Sequence, residues 1–218
     1  MKVIIVGCTH AGTIAATEIM KNHPETELTI YERKDNFSFL SCGISLYLEG
    51  KVQRLEDMFY SSPQELREMG AEVRDNHDVL KIDAIHHQIQ VANMTNGDIF
   101  TDTYDKLIMT TGSSVLVPPL FGIDNSRVLL CKNYQQAQAI YSAAKEYHNI
   151  AIIGAGYAGV EFAEALSETG HHVSMFQSRK QVLNNYVDDN MSEWAVNLLR
   201  DHNVDIHLEH EVTAFTGD

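Results

Sequence analysis

Cysteine is scarce in this chain of 218 residues: Cys8, Cys42 and Cys131 are the complete set. Their odd number and wide spacing argue against a disulfide-stapled secreted domain, and neither a CxxC pair nor a zinc-ligand spacing occurs. Basic residues are scarce as well. Lys and Arg number 16 against 30 Asp and Glu, a net charge of −14. So acidic a chain lacks the basic face that nucleic acid demands, and an anionic membrane surface would repel it. No apolar run comes near the roughly 20 residues of a membrane span. The opening MKVIIVGCTHAGT is no signal peptide, because its apolar stretch is short and turns into glycine. These absences lead to the expectation of a soluble, cytoplasmic protein with neither nucleic-acid nor membrane partners. The eleven histidines are scattered. His86-His87 and His171-His172 read as surface pairs, and no metal is expected.

What the chain does contain is enough apolar residues for a core, 44%, and an internal near-repeat. The first copy is KVIIVGCTHAGTIAATEIM followed by ELTIYER; the second is NIAIIGAGYAGVEFAEAL followed by HHVSMFQSR. Each runs from a short β-branched segment through a glycine turn and a helical stretch to a second alternating segment. That is a βαβ unit, present twice. The first strands, about 2–6 and 150–153, read as fully buried. The helices are expected at about 11–22 and 158–169, with Ala15, Ile19 and Met20 forming the apolar stripe of one and Phe162, Ala163 and Leu166 that of the other. Gly170 stands where a helix-ending glycine belongs.

Between the copies, Ser62 and Pro63 open a short helix over 62–69. The stretch after it alternates as strands and hairpins do, with Asn96-Gly97 as a tight turn. Pro118-Pro119 mark a linker, and 133–147 reads as helix. The fold class is therefore α/β with two Rossmann-like dinucleotide-binding domains, at 1–117 and 118–218.

GAGYAG, residues 154–159, is a full GxGxxG between a strand and a helix. Its glycines permit a tight turn, close approach of backbone to a pyrophosphate, and close helix packing. The helix start then offers free N–H groups to the anion. GCTHAG, residues 7–12, keeps the outer glycines and has Thr9 in the middle. Its context strengthens it: Glu32 lies at the end of the next strand, where a carboxylate accepts hydrogen bonds from the ribose hydroxyls of an adenosine. The second copy has Gln177 at that place, which bonds a hydroxyl without repelling a 2′-phosphate, and Arg179 and Lys180 follow. NADPH is thus permitted as well as NADH. Two such folds suggest two dinucleotides, FAD and a nicotinamide nucleotide. Cys42, alone in FSFLSCGISLY, reads either as a buried structural thiol or as a redox group, and Cys8 and Cys131 read as packing residues.

Taken together, VGCTHAG with His10, IYER, SFLSCGISLYLEG, YDKLIMTTGS, LCKN and GAGYAGVEFAEAL resemble the pyridine nucleotide–disulfide oxidoreductases. More narrowly, they are similar to the single-cysteine branch of NADH oxidases, NADH peroxidases and coenzyme A–disulfide reductases. GCTHAGT, FYSSPQEL and LCKNYQQAQ look most like the water-forming NADH oxidases. The resemblance implies an FAD-dependent NAD(P)H oxidoreductase and assigns roles. Gly7, His10, Ala11 and Gly12 would hold the FAD pyrophosphate. Glu32, followed by Arg33, would bind its ribose, and Val79 would lie near the adenine. Thr110, Thr111, Gly112 and Ser113 would pass beside the flavin, with Lys132 also near FAD. Gly154, Gly156, Tyr157, Ala158 and Gly159 would form the nicotinamide-nucleotide turn. Tyr157 would cover the flavin until the nucleotide arrives, and Gln177 and Tyr186 would approach that nucleotide.

In two-cysteine relatives a partner thiol follows at the fifth position, which here is Tyr47. Cys42 would therefore act alone, passing through sulfenic acid while oxygen is reduced to water, with His10 as acid/base. Residues 43–49 would start a helix that activates the thiolate. A peroxide or coenzyme A disulfide as acceptor, or a nucleotide-binding remnant without turnover, are the competing readings. Family members are about twice as long and dimeric through a later domain. The chain stops at AFTGD, so the second domain is expected to be incomplete, with 211–218 as a strand just begun.

Overall fold

A computed structural model of the chain describes residues 1–217. They form two compact units, one made of residues 1–40 and 58–114, the other of 41–57 and 115–217.

The first unit is built on a parallel sheet. β1 (Lys2–Val6) and β2 (Glu27–Tyr31) are joined by α1 (His10–Asn22), the first βαβ half of the repeat. β3 (Glu72–Arg74) adds beyond β2, and β7 (Lys106–Met109) returns to the far side of β1, giving the order β3-β2-β1-β7. β4 (His77–Asp83), β5 (Gln88–Asn93) and β6 (Ile99–Thr103) form an antiparallel sheet.

The alternation along β1 dictates two cores, because successive side chains point to opposite faces. Val3 and Ile5 pack with Ala16, Met20, Leu28, Ile30, Leu66 and Val73 on the helical side. Ile4 and Val6 pack with Tyr31, Ile89 and Val91 on the side of the antiparallel sheet. α3 (Pro63–Glu68) begins with a complete capping box: the Ser62 hydroxyl accepts from the Glu65 N–H, and the Glu65 carboxylate accepts from the Ser62 N–H. That satisfies two otherwise orphaned donors.

The second unit repeats the theme in β8 (Asn149–Ile153), α5 (Tyr157–Glu168) and β9 (His172–Gln177), with α6 (Asp189–Asp201) leading to β10 (Asp205–Leu208). The sheet order is β10-β9-β8, all parallel. Its buried apolar residues include Ala163, Ala165, Leu166, Val173, Met175, Val196 and Leu199. α2 (Ile44–Leu48) and α4 (Tyr134–Glu146) belong to this unit, and the Tyr47 ring packs on Tyr141 of α4 at 4.5 Å between centroids.

Four expectations are corrected. β8 is not fully buried: its residues alternate between exposed and half-buried, because it borders the sheet and pairs only with β9 among the described strands. Asn96-Gly97 is not a two-residue turn but part of a loop over 94–98, in which Gly97 takes φ +81° and donates its N–H to Asn93 O. His171 is half-buried rather than free at the surface: its Nδ1 lies 3.0 Å from Leu166 O and its Nε2 2.7 Å from Ala144 O. Residues 211–217 form no strand, only a single bridge from Ala214 to Phe121; the chain turns out of the line of β10 at Glu209, where φ is +56°. Residue 218, the last of that expected strand, lies outside the described residues.

Candidate functional site

The two glycine turns share the backbone geometry of their first and last glycines. Gly7 and Gly154 take φ +93° and +102°, a region nearly closed to other residues. Each donates its N–H across the turn, Gly7 to Tyr31 O and Gly154 to Phe176 O, both at 2.8 Å. A Cβ on Gly12 would meet Gly7 O at 2.0 Å, and a Cβ on Gly159 would meet Gly154 O at 2.0 Å. Close packing of the helix on the strand that precedes it therefore fixes both last glycines. The middle position explains why the first turn tolerates a departure. Gly156 has φ −80° and Thr9 φ −89°, so neither middle position takes the positive φ that favours glycine.

The helices that follow these turns share a second property. α3, α4 and α6 are capped by the side chains of Ser62, Asn133 and Asp188. α1 and α5 start with no side-chain cap and no acidic residue in the first turn. Their first N–H groups stay open to an anion, with the helix dipole in its favour. The glycine cradles and the open helix starts fit the pyrophosphates of FAD and of a nicotinamide nucleotide.

Within the first unit the chain gathers Gly7, Gly12, Glu32 and Thr110 around the turn. Glu32 is buried and accepts from the Cys8 N–H at 2.6 Å and the Lys34 N–H at 3.0 Å. Its carboxylate thus braces the turn and retains lone pairs for a further donor. The Thr110 hydroxyl bonds Gly7 O at 2.7 Å, the backbone clamp that the resemblance alone did not reveal. Arg33 pairs with Asp78 at 2.8 Å, which fastens the start of β4, where Val79 is half-buried, to the end of β2. Thr111, Gly112 and Ser113 are exposed beyond β7. His10 and Ala11 are the first two residues of α1, and both are exposed. The His10 ring stacks on Tyr60, with planes 7° apart and Nδ1 3.0 Å from the phenol oxygen. Tyr60 went unpredicted: it lies fifty residues away, and no local pattern links it to His10.

In the second unit Gln177 is buried at the end of β9, with Nε2 3.4 Å from Asn184 Oδ1. Arg179 is exposed, and Lys180 pairs with Asp189 at 3.4 Å. Exposed Tyr157, at the start of α5 beside Ala158, packs against Tyr186 with ring centroids 4.2 Å apart. Lys132 is exposed just before α4. Cys42 is exposed in a single helical turn, Ser41–Gly43, that runs into α2. The other thiols differ from it. Cys8 is fully buried, and burial pushes its pKa up to about 11, with Thr13 pulling it down and Glu32 pushing it further up. Burial likewise takes Cys131 to about 11 against the pull of Lys132.

Glu164, Glu168 and His202 also come together in this unit. The Lys51 ammonium is held above its usual pKa chiefly by Glu49, with Glu168 and Glu164 adding to it. Lys51 is itself paired with Glu49 at 2.5 Å and lies within electrostatic reach of these two carboxylates.

The sequence matches the family of pyridine nucleotide-disulphide oxidoreductases over residues 1–218. The chain is 44% identical to an NADH oxidase of Enterococcus faecalis, covering 100% of this chain and 49% of that protein. It is 33% identical to an NADH oxidase of Streptococcus pneumoniae, with 100% and 50% covered. Among solved structures, the water-forming NADH oxidase of Lactobacillus brevis bound to NADH superposes with a TM-score of 0.97 at 49% identity, over 100% of this chain and 48% of that one. An engineered water-forming NADPH oxidase derived from it, bound to NADPH, gives 0.96 at 49% identity over 99% and 48%. The chain spans about half the length of the curated relatives it matches. With both glycine turns built alike and the whole sequence matched, this chain belongs to the pyridine nucleotide–disulphide oxidoreductase family.

Proposed function

We propose that this chain carries the FAD and NAD(P)H turns and the redox cysteine of an oxidase that reduces O2 to water. Residues 1–117 serve FAD and 118–218 the nicotinamide nucleotide. The observation that carries the reading is the duplicated turn: two positive-φ glycines, two Cβ-excluding glycines and two uncapped helix starts. FAD, when bound, supplies two-electron transfer from nicotinamide to oxygen.

The chain's own groups do the rest. The α1 and α5 N–H groups hold the pyrophosphates, and Glu32 takes the adenosine ribose of FAD. Val79 faces its adenine, and Thr110 to Ser113 with Lys132 flank the flavin. Tyr157 and Tyr186 order the nicotinamide nucleotide. The Cys42 thiolate attacks hydrogen peroxide, forming an S–O bond as the O–O bond breaks; hydroxide leaves, and sulfur becomes sulfenic acid. Two electrons and one proton from a second NAD(P)H, with one further proton from solvent, return it to the thiol and release water. His10 moves the protons. Gln177 carries no charge to repel a 2′-phosphate, and Arg179 stands two residues on, so NADPH serves as well as NADH.

Stopped-flow reduction with each nucleotide, followed by oxygen, tests this reading. Flavin absorbance bleaches with both donors and returns with oxygen. Cys42→Ser shifts the product from water to hydrogen peroxide; unchanged water formation sinks the role of Cys42. The product also separates this oxidase from a reductase that yields a free thiol.

A further inference from the structure

Tyr60 and His10 are exposed, yet they are held to each other by both a stack and a hydrogen bond. The ring centroids lie 5.3 Å apart with planes 7° from parallel, and Nδ1 sits 3.0 Å from the phenol oxygen. The phenol has a second partner, the Thr9 carbonyl oxygen at 3.4 Å. A carbonyl only accepts, and a phenol has one proton. That proton stays in place at neutral pH, since burial raises the Tyr60 pKa, a bond from Thr13 lowers it and Cys8 raises it, for a net rise.

One arrangement uses both contacts of the phenol, with Thr9 O also accepting the Thr13 N–H at 3.2 Å. Tyr60 donates to Thr9 O, and His10 donates Nδ1–H to the Tyr60 oxygen. In a neutral imidazole, the hydrogen bond at one nitrogen decides which nitrogen holds the proton.

We infer that Tyr60 is a positioning residue: it fixes His10 in the Nδ1–H tautomer and leaves the Nε2 lone pair as the atom that accepts the proton. The fold supports this use. Tyr60 precedes the capped start of α3, and the Ser38 hydroxyl binds the adjoining segment through the Ser61 N–H at 2.8 Å and the Ser61 carbonyl at 2.6 Å. Thr9 belongs to the turn braced by Glu32 through the Cys8 N–H. Both ends of the Thr9–Tyr60–His10 relay are thus anchored in the same unit. The inference rests on the acid/base role proposed for His10, and a separate readout tests each.

The direct measurement is the 15N chemical shift pair of His10 in the 15N-histidine-labelled chain, at a pH where the ring is neutral. The wild-type chain shows the Nδ1–H tautomer in excess. In Tyr60→Phe, with the other ten histidine signals unmoved, the ratio of Nδ1–H to Nε2–H falls about tenfold, as the loss of one hydrogen bond implies. An Nε2–H tautomer in the wild type, or an unchanged ratio in Tyr60→Phe, overturns the inference. The wild-type result decides even where the variant fails to fold. In the flavin-loaded protein, His10→Gln reports on the underlying reading: undiminished turnover there removes His10 from the chemistry and leaves the tautomer assignment standing.

Discussion

Gly12 and Gly159 are held by a carbonyl oxygen of their own turn, 2.0 Å from where a Cβ would sit. Gly12→Ala should cost about 1–3 kcal/mol, because the helix must lift from the turn to make room, and flavin retention should drop with it; urea melts and bound-flavin absorbance check both. A variant as stable as wild type would show that the turn opens freely. The cysteines differ at the same scale. Cys42 is exposed, whereas Cys8 is enclosed and both Cys8 and Cys131 have pKa values near 11. Thiolate is the reactive form. One equivalent of an alkylating reagent at neutral pH should therefore mark Cys42 first, as peptide mapping would reveal. The glycines were readable because their conformation depends on residue type at fixed spacing. Tyr60 was not, since its meaning comes from a neighbour fifty positions away.

At the level of elements, a side-chain cap made the start of α3 legible but not that of α6, which Asp188 caps. Ser62 and Pro63 announced α3. α6 was overlooked although its buried positions, Ser192, Ala195, Val196 and Leu199, follow a helical period. Exposed Trp194 and Leu198 blur that stripe in the sequence. One tie between strands has a pH signature. Asp102 of β6 binds the Lys2 ammonium at 2.5 Å and the Tyr31 hydroxyl at 2.7 Å. Burial pulls its pKa up, but Lys2 and Tyr31 outweigh burial and the net shift is down. A carboxylate with a lowered folded pKa contributes stability that is complete above its unfolded value, near about 4, and is lost as pH falls through the folded one. Asp102→Asn should be less stable than wild type at pH 7, with the gap closing toward pH 3 in thermal melts. A gap independent of pH would mean that the charge of Asp102 is not what ties these strands.

For the whole molecule, ligand binding and folding are linked, since a cradle made of backbone turns exists only in the folded chain. FAD at about 100 times its Kd should add about 2.7 kcal/mol, a rise in Tm of roughly 5–10 °C for a chain of this size. No rise, with colourless protein, would sink the FAD assignment for this chain. No helix among the described residues is long and apolar enough to cross a membrane. Sequence by itself determined the two βαβ units, their glycine turns and the solitary thiol, because local steric and chemical demands leave few residue types at those positions. Tertiary structure alone decided that residues 41–57 pack with the second unit, that β8 borders its sheet, and that Tyr60 meets His10. These follow from which distant segments bury each other's surfaces, a choice that no short stretch of sequence records.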